Sequence, residues 1–226
     1  MKLQFLRTIL FLIALGFSFG LNAQTPEYKF KFVKEEILND LDCYKEGICP
    51  KILIPDEYEA ACVLALSHYP ELQNEKIEFV YGKGSYSMAA RPVPLSLFRN
   101  KKNRKYKIFI NTESKSKGLL LPNVGFNAQV GIVGHELAHI LYYTKKSSFR
   151  IVLDGIGYMS KSYRAKFEKE TDRVAIERGL GWQLYEFSNS TQNHEDVPDA
   201  YKLYKTKIYM CPHSIKTYIE KQHRME

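Results

Sequence analysis

The sequence predicts an α+β domain in which a small sheet packs on a central helix and a second long helix completes a site. Three observations point to it. Extended, β-branched and aromatic segments fall between residues 76 and 112, and helical periodicity dominates the remainder of the chain. The stretch GIVGHELAHILYY (131–143) is apolar nearly all round a helical wheel, yet carries His135, Glu136 and His139. A later stretch, AKFEKETDRVAIERGLG (165–181), turns two carboxylates, Glu168 and Asp172, onto its apolar stripe.

At the N-terminus, Lys2 and Arg7 precede an apolar run, ILFLIALGFSF (9–19), and Ala23 offers a small residue at a cleavage point. This is the pattern of a secretory signal peptide over residues 1–23, and it is short for a membrane span. The expected mature chain, 24–226, is long enough for one domain with a core of its own and contains no further span-length apolar run, so a periplasmic or secreted protein is expected. Residues 55–69 read as a helix opened by Pro55 and Asp56. Residues 76–84, 85–94 and 105–112 read as extended, and 118–127 as a loop. The central helix is expected over about 126–144 and the second over 160–187. A polar linker, 188–199, then leads to two shorter helical stretches.

On the central helix Val130, Val133, Leu137, Ile140 and Leu141 crowd the side opposite the histidines, while Ala128, Gly131 and Ala138 lie near them. Bulk on one side and small residues on the other imply room above the imidazoles. Histidines at i and i+4 share a helical face at a spacing that suits one tetrahedral metal, and Glu136 is placed to reach an activated water. This is HExxH, the zincin metallopeptidase signature. Tyr142 and Lys145 stand where the extended HExxHxxGxxH form needs Gly and His, so the third ligand must come from elsewhere.

The second helix supplies it. Glu168 and Asp172 share the stripe of Ala175, Ile176 and Gly179, whereas Glu170, Arg173 and Glu177 gather on the opposite side, where Arg173 can pair with both glutamates. An inward carboxylate without a cation is costly, and zinc at His135, His139 and Glu168 relieves that cost. Asp172, one turn on, is placed to take the free N–H of a ligating histidine.

HExxH followed by ExxxD is the gluzincin arrangement, and FEKETDRVA (167–175) resembles the E-x-E-A-D-R segment of the CAAX-prenyl-protease zinc endopeptidases, whose members include soluble periplasmic proteins. The resemblance spans residues 127–180 and departs from the pattern at Thr171, where the family has a small Ala. It implies a zincin-like fold, Zn2+, ligands His135, His139 and Glu168, the general base Glu136, and Asp172 behind a ligand. The expected activity is hydrolysis of a peptide or protein substrate by zinc-activated water. The alternative is a catalytically silent zincin-fold binding or scaffold protein at the cell envelope or surface. Intact Glu136 argues against that, because a purely structural zinc has no use for a base.

The remaining expectations concern the surroundings. Residues 105–112 are expected to form an edge strand that holds an extended peptide, and His194, Tyr201 and His213 are candidate oxyanion donors. Four cysteines (Cys43, Cys49, Cys62, Cys211) permit two structural disulfides in an exported chain, with Cys43–Cys49 and Cys62–Cys211 one of three connectivities. The formal net charge is +8, and the densest basic cluster, RNKKNRKYK (99–107), offers weak contact with an anionic surface. No nucleic-acid motif accompanies it, so nucleic-acid binding is not expected.

Overall fold

The computed structural model describes residues 29–113 and 116–224. The expected signal peptide, 1–23, lies outside the described residues. The domain is α+β and mostly helical. Its elements are α1 (Lys34–Asn39), α2 (Leu41–Lys45), α3 (Glu59–Ser67), β1 (Ile77–Gly82), β2 (Met88–Pro92), β3 (Tyr106–Asn111), α4 (Phe126–Lys145), α5 (Ser148–Gly157), α6 (Lys161–Ala175), α7 (Gly181–Asn193), α8 (Asp199–Ile208) and α9 (Pro212–His223). No helix among the described residues is long and apolar enough to cross a membrane.

The sheet order is β1-β3-β2, with β3 parallel to β1 and antiparallel to β2. Residues 105–112 therefore form the central strand, and the expectation of an edge strand there is wrong. The free edge is β2, because the outer side of β1 is occupied by Leu53, whose N–H donates to Ile77 O (3.0 Å). Strand alternation puts Ile77, Phe79, Met88, Ala90, Tyr106, Ile108 and Ile110 on one face, and all are buried. That face lies in the same apolar core as Leu137, Ile140 and Leu141 of α4.

Helix α4 is enclosed from Ala128 to Leu141 except at Gln129. Its glycines serve helix packing. A β-carbon at Gly131 would lie 2.2 Å from the Gln183 carbonyl oxygen, and one at Gly134 would lie 2.5 Å from Leu180 Cδ1. The space that Gly131 leaves is filled by the backbone of α7, so its small size does not make room above the imidazoles. The chain turns sharply after Lys145, where the side chain of Ser147 caps α5 by accepting from Arg150 N (3.2 Å). Helix α5 has no counterpart among the helices expected from sequence.

The second long helix is not continuous. Between α6 and α7 the residues Ile176–Leu180 form a wide π-turn in which Gly179 has φ +84°, a left-handed conformation that suits glycine. Helix α7 then runs through Asn193, so half of the expected linker 188–199 is helical. Ala175, Ile176, Leu184, Ile215 and Ile219 form a smaller apolar cluster that anchors α9.

The four cysteines are free thiols. Cys62 is fully enclosed within α3 in the main core, whereas the Cys211 sulfur lies 3.2 Å from Ser214 Oγ at the start of α9. The two sit in different parts of the fold, which is why the expected staple between them is absent.

Candidate metal centre

One helical turn of α4 sets His135 above His139, and one turn of α6 sets Glu168 beside Asp172. The two helices bring Nε2 of both histidines and Oε2 of Glu168 to a single point. The separations are 3.1 Å between the nitrogens, 3.0 Å from His135 to Glu168 and 3.2 Å from His139 to Glu168. All three side chains are buried.

The outer hydrogen bonds fix which atoms bear protons. Asp172 Oδ2 accepts from Met210 N (2.7 Å), and its Oδ1, 2.8 Å from His135 Nδ1, accepts the Nδ1–H hydrogen bond. Thr171 Oγ1 donates to Phe167 O (3.0 Å), which leaves its lone pairs for His139 Nδ1–H at 3.3 Å. Both Nδ1 atoms thus donate outward, and both Nε2 atoms face Glu168 Oε2, where His135 Nε2 can carry either a proton or a metal. Stacking completes the orientation, since the His139 ring lies nearly parallel to Phe167 at 5.4 Å and to Tyr143 at 6.3 Å.

Electrostatics agree with the geometry. Burial disfavours the charged form of His135, but hydrogen bonds and charge from Asp172 and Glu168 outweigh it, and its pKa is pushed up to about 10. Burial opposes ionisation of Glu168 in the same way, yet the neighbouring histidines hold its carboxyl well below the usual range. The cluster demands a positive charge at its centre. One proton can bridge only two of the three converging atoms, whereas a cation satisfies all three. Their separations lie within a few tenths of an ångström of the ~3.3 Å that a tetrahedral ion with bonds of about 2.0–2.1 Å imposes. The donor set, two imidazole nitrogens and one carboxylate, fits zinc.

Glu136 stands next to this point without joining it. Its Oε2 accepts from Ala90 N (2.6 Å) on β2, which leaves the other oxygen available. Tyr158, after α5, donates to Glu168 Oε1 and so directs Oε2 at the histidines. The centre opens into a cleft with about 510 Å³ of free space, within the range of small-ligand sites. Met88, Ala90 and Arg91 form one wall, and Tyr201, Lys205 and Tyr209 of α8 and its following turn form another.

All five residues read from sequence as site residues, His135, Glu136, His139, Glu168 and Asp172, meet here. Glu170 is exposed and paired with Arg173 (2.7 Å), as the helical-face reading requires, while Glu177 accepts from Tyr218 OH instead of pairing with Arg173. Of the oxyanion candidates, Tyr201 lines the cleft. His213 is exposed and His194 sits beside Asp196 (3.7 Å), and neither lines it. Sequence reasoning missed Thr171, Tyr158, Lys205 and Tyr209. Thr171 was detectable, because it lies about 60° from Glu168 on the wheel. The others stand in no pattern that could have singled them out.

Searches against family models, curated proteins and solved structures returned no match to this chain.

Proposed function

We propose that this chain is an exported zinc metallopeptidase with a zincin-like active site, in which His135, His139 and Glu168 hold the metal and Glu136 is the general base. The observation that carries this reading is the convergence of two outward-protonated imidazoles and one carboxylate on a point beside Glu136, at the floor of an open cleft. The gluzincin-like spacing of HExxH and ExxxD supports it, as does the apolar run at 9–19 for export. When bound, zinc supplies a Lewis acid that acidifies water and polarises a scissile carbonyl.

The chain's own residues do the rest. Glu136 takes the proton of the attacking water on its free oxygen and returns it to the leaving amine. The Ala90 N–H holds the opposite oxygen of that carboxylate, so the base keeps one orientation through both transfers. Ser87 O accepts from Asn111 N (3.1 Å) and Val93 N donates to Lys105 O (2.8 Å), so odd-numbered residues of this segment face β3. Alternation then turns the backbone N–H and C=O of Met88 and the C=O of Ala90 toward the cleft, beside the Ala90 N–H that Glu136 occupies. An extended peptide can add to this edge directly above Glu136, the role expected from sequence for 105–112. Tyr201, Tyr209 and Lys205 are among the cleft donors available to a developing oxyanion.

The test is metal analysis together with cleavage of a diverse peptide library. The wild-type protein is expected to carry about one zinc per chain and to cleave. Glu136→Gln is expected to keep the zinc and lose the cleavage. A wild-type protein that binds zinc but cleaves nothing would favour the scaffold alternative.

A further inference from the structure

We infer that α5 and the turn before residue 99 form a docking surface for anionic phospholipid. Helix α5 has two faces of different character. Ile151, Asp154 and Gly155, with Tyr158 just beyond, line the cleft. Phe149, Val152, Leu153 and Ile156, at i, i+3, i+4 and i+7, form a stripe on the opposite side, and every one is exposed. Met159, just past the helix, is 81% exposed. Packing among the described residues does not explain an apolar stripe this complete on the solvent side.

The stripe continues onto a neighbouring element. The 3-10 turn Pro94–Phe98 is fastened to the start of α5 by Ser148 Oγ, which donates to Leu97 O (2.5 Å), and it leaves Leu95 79% and Phe98 89% exposed. Arg104 is buried and donates to Tyr143 O, Lys146 O and Ser148 Oγ, which locks the basic segment against the α4–α5 corner. Arg99, Lys101, Lys102 and Lys105 are exposed beside it, and no ion pair among the described residues engages them. Lys145 at the end of α4 and Arg150 on α5 extend the basic rim, although Arg150 also pairs with Asp154 (2.9 Å).

Exposed apolar side chains on one face of a helix with a rim of Lys and Arg match the interfacial region of a bilayer, where the rings enter the headgroup boundary and the cations meet anionic lipid. A protein partner would have to bury the same stripe while neutralising the basic rim, and the positive charge without ion pairs among the described residues favours the anionic lipid. Since the inner face of α5 walls the cleft, docking would set the cleft beside the lipid surface.

Hydrogen exchange of the full chain is measured with vesicles of phosphatidylcholine alone and with vesicles containing about a third phosphatidylglycerol. The anionic vesicles are expected to protect residues 94–102 and 148–159 selectively, a local readout that the apolar run at 9–19 cannot produce by itself. Combined Phe98→Ser, Phe149→Ser and Ile156→Ser should weaken vesicle binding at least about ten-fold. Combined Arg99→Gln, Lys102→Gln and Lys105→Gln should weaken it on the order of a hundred-fold at low salt. All six positions are exposed, so a normal circular dichroism spectrum is expected for both variants. Vesicle binding without protection of these two segments would overturn the inference. So would equal protection by neutral vesicles, or protection that follows protein concentration in the absence of lipid, which would mark a self-association surface.

Discussion

Two partly or fully buried histidine environments in this molecule are built to opposite ends. His68, after α3, keeps one hydrogen-bond partner, the Arg178 carbonyl oxygen at 2.7 Å from Nδ1, and packs edge-on to Phe32 at 5.9 Å. Burial holds its pKa below the ordinary 6.5, which favours the neutral imidazole. His135 is more deeply buried, yet it lies between Asp172 and Glu168, and its pKa is raised to about 10. The difference shows that burial alone does not mark a candidate metal-binding histidine. What marks it is a second carboxylate facing the nitrogen that the first has left bare.

The sharpest way to break this contrast is to remove that second carboxylate. Glu168→Ala is expected to abolish stoichiometric zinc binding, a larger loss than the roughly 10–100-fold that outer partners contribute. Glu170→Ala, two residues away and exposed, should leave zinc content unchanged. Metal analysis of both proteins decides, and the reverse result would refute the assignment of ligands. Next in size, Glu136→Gln should lower peptide hydrolysis by about 10²–10⁴-fold with zinc retained, read by initial rates against metal content.

Smaller changes sharpen the comparison. Thr171→Val removes the acceptor for His139 Nδ1 while keeping the shape, and zinc affinity should fall about ten-fold. A competition titration with a chelator measures it, and an unchanged affinity would mean that stacking on Phe167 and Tyr143 suffices to orient the ring. Gly131→Ala should cost about 1–3 kcal/mol in denaturant unfolding, because the added carbon meets the backbone of α7.

The two histidines should also give opposite pH signatures. His68 has a lowered folded pKa, so the unfolded chain takes up the proton first and stability falls as pH drops through 6.5. His135, with its raised value, adds stability in the apo protein that is complete below 6.5 and lost as pH rises toward 10. Thermal melts of His68→Gln across this range should lack the acidic loss. Zinc should suppress the alkaline one, since metal takes the place of the proton on His135.

The sequence by itself determined whatever depends on one helix at a time. The i, i+4 spacing puts His135 over His139 whatever surrounds them. The same periodicity separates Glu168 from Glu170, because a helix presents each to a fixed side. Asp172 and Thr171 both follow from that angle, although the wheel drew attention only to the charged one.

Tertiary structure decided everything that depends on which segments meet. Residues 105–112 look like any edge strand, and only pairing with both β1 and β2 makes them central. Gly131 could have made room for a ligand or for a helix, and the approach of Gln183 settles it. Cysteine pairing depends on distances across the fold, and Cys62 and Cys211 lie in separate regions. Tyr158, Lys205 and Tyr209 reach the cleft from segments with no local signature, since their roles come from α5 and α8 folding over the centre. Local periodicity is written in the order of residues, whereas contact between distant segments is set by how the whole chain buries its apolar surface.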